Sequence, residues 1–104
     1  MPVFTFKGEN LKTVQEYHKK IGELALLVNA KVENFVFLYE EISLITNDND
    51  INVLYVSVEW LGRPLKQEIV ANHLQDFFGK YYKKIYLKFT EINNFMYLNG
   101  KLIG

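Results

Sequence analysis

The chain has 104 residues, of which 49% are hydrophobic and 15% aromatic; this predicts one folded domain with its own core and argues against a disordered protein. Twelve basic and twelve acidic residues cancel, so the net charge gives no reason to expect nucleic acid or an anionic membrane as a partner. The absence of cysteine excludes disulfides, thiolate catalysis, and zinc–thiolate and iron–sulfur sites.

The first half of the chain has the order strand, helix, strand. Residues 2–7 alternate as a strand does and contain the valine and phenylalanines that strands favour. Asn10 is suited to cap a helix, and apolar residues at helical spacing predict one continuous helix over residues 11–29. FVFLYEEISLI predicts a strand over residues 35–45, which the turn-rich stretch TNDND follows.

The second half repeats this order and then adds a hairpin. Pro64 is suited to the first turn of a helix, because its missing N–H is not needed there. Asn99-Gly100 lies between apolar flanks, the strongest short signal for a hairpin turn. The predicted elements are a strand over 52–61, a helix from 64 to about 79, a strand over 84–92 and a hairpin over 95–104.

These elements predict a single α+β domain, residues 1–104, made of two β-α-β units and a C-terminal hairpin. Short matches between the halves, such as YEEI and FTEI, favour an internal duplication of about 2–46 and 52–92. Each unit places its two strands parallel, which predicts a four-stranded sheet with two helices on one face. The other face would be bare and rich in apolar residues, so we expect oligomerisation to cover it.

Four stretches resemble the tautomerase superfamily, which includes 4-oxalocrotonate tautomerase and macrophage migration inhibitory factor: MPVFTF, AKVENFVF, SVEWLGR and IYLKFTEIN. Within that superfamily the chain is most similar to small bacterial members of unknown function. The resemblance implies a homotrimer with its sheets around a central axis and a pocket between subunits around an amino-terminal proline. It also implies proton transfer on a small carboxylate-bearing ligand without a cofactor.

Pro2 is the candidate general base. A small residue behind the initiator methionine favours removal of Met1, which would leave a secondary amine at the start of a strand. Burial and nearby positive charge lower the pKa of an amine, and a base poised near neutral pH suits removal of a proton beside a carbonyl. The alternative from the residues alone is that Pro2 merely begins a strand, where its missing N–H costs nothing.

Two cations are candidates for binding a substrate carboxylate. Arg63, the only arginine, ends SVEWLGR at the start of the second predicted helix, where helix-start amides already favour anions. Lys31 lies between the first helix and the second strand, where the resemblance implies a substrate-binding lysine. Each also has an ordinary alternative, Arg63 as a surface residue at a turn and Lys31 as compensation for a helix dipole.

The resemblance implies three further site residues. It places the backbone amide near Leu61 beside the proline and makes Tyr86 an active-site tyrosine contributed by a neighbouring subunit. Lys88 stands where the best-studied member of the superfamily has asparagine, so it is either a further carboxylate partner or a solvent-facing residue. Tyr86 has the alternative of simple packing on the sheet.

Three functional hypotheses follow. The first is a tautomerase-type isomerase, although the sequence does not distinguish tautomerisation from decarboxylation or dehalogenation in the same pocket. The second is a non-catalytic oligomer that binds a small ligand or a protein, since a fold does not fix activity. The third, a ferredoxin-like domain, shares the element order, but the leading proline and the internal repeat favour the first.

The remaining features predict absences. His18 and His73 have no Asp or Glu at a metal-binding spacing, so we expect packing roles and no metal. No apolar run reaches the roughly 18 residues that span a bilayer, and the first residues lack the order of a signal peptide. A cytoplasmic protein without membrane or nucleic-acid partners is the expectation.

Overall fold

The computed structural model describes residues 2–45, 52–61, 64–92 and 96–102. No helix within these ranges is long and apolar enough to cross a membrane. In chain order the elements are β1 (Val3–Gly8), α1 (Leu11–His18), α2 (Ile21–Val28), a 3-10 helix (Val32–Asn34), β2 (Val36–Glu41), β3 (Val53–Leu61), a second 3-10 helix (Pro64–Lys66), α3 (Gln67–Phe78), β4 (Lys84–Ile92), β5 (Tyr97–Leu98) and β6 (Lys101–Leu102).

The main sheet joins the two halves of the chain through their first strands. Its strand order is β2-β1-β3-β4. β1 is parallel to β2, and β3 is parallel to β4, because a helix crosses over between the members of each pair. β1 and β3 are antiparallel. This arrangement confirms the predicted α+β fold of two β-α-β units.

One face of the sheet is covered by the helices and holds the core, as predicted. Alternate residues of the two central strands point into it, and Pro2, two positions before Phe4, is buried with them. The core contains Phe4, Phe6, Leu54, Val56, Val58 and Trp60 from the strands, and Val14, Tyr17, Leu24, Val28, Val70, Leu74 and Phe78 from the helices.

The other face of the sheet is open and carries both apolar and charged residues. Lys7 lies opposite Tyr55, and its amine is 4.0 Å from the Glu40 carboxylate on the neighbouring strand. The phenylalanines of the strands point into the core, and the residues between them are a mixture of apolar and charged or polar side chains. The open face includes Val3, Thr5, Lys7, Val36, Leu38, Glu40, Tyr55, Ser57, Glu59, Tyr86 and Lys88.

The predicted helix over residues 11–29 is two helices, so the prediction of one continuous helix was wrong. The amides of Lys19 and Lys20 donate to the carbonyls of Glu16 and Tyr17, three residues back, which tightens the last turn of α1. The Lys20 carbonyl then accepts the first amides of α2. Apolar periodicity continues across the break because both helices bury the same side in one core, so the pattern did not reveal it.

The other elements differ from the prediction mainly at their ends. β2 stops at Glu41, not near residue 45, because its partner β1 ends at Gly8. The helix predicted from Pro64 begins as a 3-10 turn before α3, and the strand over 84–92 is confirmed. The hairpin is present, with Asn99 at φ 52° and Gly100 at φ 81°, the two positive values that a tight type I′ turn requires.

Candidate functional site

Pro2 lies at the end of the sheet where β1 begins and β3 and β4 end, which we call the proline end. The Pro2 side chain is buried. The backbone carbonyl of Pro2 accepts a hydrogen bond from the Val36 amide at 2.9 Å. Val3 pairs with Glu59 in the antiparallel ladder, so the register continues with Pro2 level with Trp60. The Pro2 nitrogen is an amide while Met1 precedes it and a secondary amine once Met1 is removed.

Leu61 and Lys31 lie at the same end of the sheet as Pro2. Leu61 is half-buried and is the last residue of β3. Lys31 is exposed and directly precedes the 3-10 helix Val32–Asn34. The chain leaves that helix and enters β2 at Val36, the residue whose amide binds the Pro2 carbonyl. The connection between α2 and β2 therefore leads directly to Pro2.

Tyr86 and Lys88 lie away from Pro2 within one chain. Tyr86 pairs with Tyr55 on β3, with 6.2 Å between ring centroids, and half of its surface is exposed. Pro2 is level with Trp60, which is five positions further along β3 than Tyr55. Tyr86 and Pro2 are therefore about 16 Å apart along the strand. They also lie on opposite faces of the sheet. Tyr86 and Lys88 can approach a proline end only if that end belongs to another subunit.

Arg63 lies outside the described residues, and its role in carboxylate binding remains a prediction. Pro64 is the next residue that the structure describes, and the 3-10 helix Pro64–Lys66 leads into α3. The first residue of α3, Gln67, turns its side chain back to the sheet and contacts Glu91 on β4. The start of α3 is therefore tied to the proline end.

A second feature of this end, the Glu91 cluster (Trp60, Gln67 and Glu91), was not predicted from the sequence. Glu91 Oε1 accepts hydrogen bonds from Trp60 Nε1 at 2.8 Å and from Gln67 Nε2 at 2.9 Å. Trp60 is fully buried, and its ring lies 4.9 Å from that of Phe89. The signal for this cluster was the parallel register of β3 and β4, which brings Trp60 opposite Glu91.

A comparable group, the His73 cluster (Tyr17, Glu23 and His73), joins the three α-helices. Tyr17 Oη is 2.7 Å from His73 Nδ1, and His73 Nε2 is 3.2 Å from Glu23 Oε1. A neutral imidazole satisfies both contacts when Tyr17 donates to Nδ1 and Nε2–H donates to the carboxylate. Burial, with a smaller contribution from the Glu23 charge, raises the pKa of Tyr17. The hydrogen bond from His73, followed by the Lys20 charge, lowers the pKa of Glu23.

Two grooves flank α3. One, of about 330 Å³, is lined by the His73 cluster's Glu23 and His73 together with Lys20, Asp76, Phe77 and Lys80. The other, of about 450 Å³, begins at Gln67 and is lined by Glu68, Ala71, Leu87 and Phe89. In the part of the chain that the structure describes, no three His, Asp or Glu side chains gather closely enough to hold a metal ion.

Comparison with known proteins identifies a family and a fold. A family model described as a domain of unknown function, DUF1904, matches residues 1–101. The crystal structure of a DUF1904 domain from Sebaldella termitidis superposes with a TM-score of 0.88 at 18% identity, covering 99% of this chain and 100% of that one. Comparison with curated proteins found no match.

Structures of macrophage migration inhibitory factor homologues share the same fold. The macrophage migration inhibitory factor-like protein of Entamoeba histolytica superposes with a TM-score of 0.75 at 13% identity. The match covers 98% of this chain and 96% of that chain. The homologue from Prochlorococcus marinus has a TM-score of 0.70 at 17% identity, with coverage of 98% and 99%. These likenesses confirm the tautomerase-like fold that the sequence resemblance implied.

Proposed function

The chain belongs to the DUF1904 family, and from this premise we propose that it is a tautomerase-like enzyme that transfers a proton on a small carboxylated carbonyl compound. Pro2 is the general base, acting through the secondary amine that removal of Met1 creates. The observation that carries this proposal is the position of Pro2: it is buried at the end of the central strand of a tautomerase-like fold, beside the end of β3 and the Lys31 connection.

The surroundings of Pro2 suit a base that works near neutral pH. Burial disfavours the charged ammonium form, and a cation such as Lys31 at the same end adds to this effect, so both lower the pKa of a free Pro2 amine. The amine then takes a proton from the carbon beside the carbonyl, and the C–H electron pair forms the C=C bond of the enolate. The protonated amine returns that proton to another carbon, or to the oxygen.

Charge on the substrate is met by cations. Lys31 and Arg63 bind the carboxylate and stabilise the negative charge that develops on the carbonyl oxygen, and the amide near Leu61 donates a hydrogen bond there. Tyr86 is a wall or proton donor, and Lys88 is a further carboxylate partner. Because Tyr86 and Lys88 are about 16 and 10 Å from Pro2 along the sheet of one chain and lie on its other face, this assignment requires that a neighbouring subunit supply them.

A homotrimer is the proposed assembly. Two surfaces support an oligomer: Leu38 and Tyr86 on the open sheet face are about half exposed, and so are the hairpin residues Leu98 and Leu102. A two-stranded hairpin is only marginally stable by itself, so apolar side chains on it favour a partner that covers them. Sedimentation equilibrium tests this assembly, with a mass of three chains expected.

The deciding experiment combines an intact mass with one substitution. Untagged protein from cells with normal methionine processing is expected to have lost Met1. Pro2→Ala still allows removal of Met1, but the amino-terminal nitrogen is then a primary amine that is not held in a ring. We expect the rate of enolpyruvate ketonisation to fall by about 10²-fold or more, the usual contribution of a positioned base. Glu23→Gln, a change in the His73 cluster of the helix layer, is the control.

The alternative is a non-catalytic oligomer that binds a small ligand or a protein on the same fold. The burial of Pro2 also suits a proline that only begins a strand. Retention of Met1, or equal rates for Pro2→Ala and the wild type, would contradict the role of Pro2 and leave this binding module as the better hypothesis.

A further inference from the structure

The geometry points to Glu91 as a positioning residue for the site around Pro2, and this inference rests on the proposed function. We propose that the Glu91 carboxylate acts as a clamp that fixes the Trp60 indole and the first turn of α3 against the proline end. Glu91 has no part in the proton transfer itself. Its effect reaches the reaction through the two groups that it holds.

One carboxylate oxygen connects three elements. Glu91 Oε1 on β4 accepts the indole N–H of Trp60 on β3 and the amide N–H of Gln67 on α3. Both bonds are short, at 2.8 and 2.9 Å, and bonds to an ionised acceptor are stronger than bonds between neutral groups. The oxygen therefore fixes the end of β3, near Leu61, relative to the start of α3.

The clamp lies in the same row of the sheet as Pro2. Trp60 pairs with Glu91, and the β1–β3 register places Pro2 on the other side of Trp60. All three residues are on the helix-covered face. At about 4.8 Å between strands, Glu91 is about 10 Å from Pro2, which is too far for contact with the reacting atoms. Trp60 is the residue between them in this row, so the clamp acts on Pro2 through its neighbour on β3.

An indole held in one orientation matters because a small error in pocket geometry is costly. A displacement of about 1 Å in a positioned group reduces rates by up to 10²-fold. Trp60 is fully buried and packs on Phe89, and the hydrogen bond to Glu91 adds a directional constraint that non-directional packing lacks. Buried indole N–H groups need an acceptor, and Glu91 provides it.

The chain offers a direct readout, because Trp60 is its only tryptophan. A fixed indole gives a sharp near-ultraviolet circular-dichroism band that does not depend on activity. We expect Glu91→Ala to weaken this band and to lower kcat by about tenfold with a smaller change in KM. Glu91→Gln, whose amide oxygen still accepts hydrogen bonds, is expected to restore most of both.

Two further variants keep the test decisive. Gln67→Ala removes one of the two hydrogen bonds to Glu91, and a helix start tolerates alanine. This variant therefore reports on the clamp even if Glu91→Ala does not fold. We expect a smaller loss of the band and of kcat than in Glu91→Ala. Glu23→Ala is the matched control, since it removes a carboxylate that pairs with an aromatic ring nitrogen in the His73 cluster. It is expected to leave the band and kcat unchanged.

The outcomes separate the clamp from the proposed function. An unchanged Trp60 band in both Glu91→Ala and Gln67→Ala would overturn the clamp, and a lost band with unchanged kcat would overturn its role in the reaction. Equal rates for the wild type and Pro2→Ala would overturn the proposed function and the catalytic consequence of the clamp. In that case the circular-dichroism measurement still decides whether Glu91 holds Trp60.

Discussion

The Glu91 cluster and the His73 cluster are built from similar parts but lie in different places. Each has a carboxylate, an aromatic ring nitrogen and a third polar group, joined by two hydrogen bonds. The Glu91 cluster lies on the sheet in the same row as Pro2. The His73 cluster lies in the helix layer, where it ties the break between α1 and α2 to α3.

The difference shows that the surroundings, and not the hydrogen bonds themselves, decide what a polar cluster affects. In the Glu91 cluster the ring is fully buried and belongs to the residue that is level with the candidate base in the β1–β3 register. In the His73 cluster the carboxylate is exposed, and the buried member, Tyr17, faces the core with its ring. We therefore expect changes in the first cluster to affect both stability and catalysis, and changes in the second to affect stability and its pH dependence alone.

The largest expected effect is that of Trp60→Ala. Removing a fully buried tryptophan leaves a cavity and deprives Glu91 of a donor, and we expect the free energy of unfolding to fall by about 3–5 kcal/mol. Urea unfolding followed by far-ultraviolet circular dichroism measures it. Trp60→Phe helps to separate the two contributions, because it loses the N–H but keeps most of the apolar volume. A loss below about 1 kcal/mol for Trp60→Ala would contradict the close packing of this end.

A smaller effect is expected from Tyr17→Phe in the His73 cluster. The change removes the hydroxyl that pairs with His73 Nδ1, and the loss of such a hydrogen bond costs about 1–2 kcal/mol. It also tests a pH dependence. Burial raises the pKa of Tyr17. The contribution of its hydroxyl to the free energy of unfolding is therefore complete below the ordinary tyrosine pKa of 10.0 and is lost as the pH rises above that value.

The measurement is the free energy of unfolding of the wild type and Tyr17→Phe between pH 8 and 11. We expect the wild type to lose stability above about pH 10 and the variant to lose less of it. The rate of the Pro2-dependent reaction at pH 7 is expected to be the same in both proteins. A rate that falls as much as in Glu91→Ala would break the contrast between the two clusters.

Much of the fold was predictable because it depends on local patterns. Strand β4 and the Asn99-Gly100 turn were predicted correctly, since alternation and the preference for positive φ act over a few residues. The break at Lys19–Lys20 was missed because the core selects the apolar side of both helices and leaves the same periodicity. The end of β2 was missed because it depends on the length of β1, which is a tertiary property.

The site was predictable only in part, for a related reason. Pro2, Leu61 and Lys31 lie at one end because each is close in sequence to a strand end or a connection that leads to it. Glu91 and His73 became visible only through contacts 31 and 56 residues apart in the chain, which no local pattern encodes. Tyr86 and Lys88 are separated from Pro2 within one chain, so only an assembly of subunits would bring them together.

The smallest expected effect is that of Glu23→Gln, and it tests the acid side of the comparison. The hydrogen bond from His73, followed by Lys20, lowers the pKa of Glu23, so its contribution to stability is present above the ordinary value of 4.5 and is lost as the pH falls below it. We expect a slight loss of stability at pH 7 and a flatter stability profile between pH 5 and 3 than in the wild type. Urea unfolding at several pH values measures both, with Lys19→Gln as the control for a surface charge in the same region. An identical profile for the two proteins would mean that the exposed carboxylate adds nothing, and that the contact between Tyr17 and His73 accounts for the contribution of this cluster to stability.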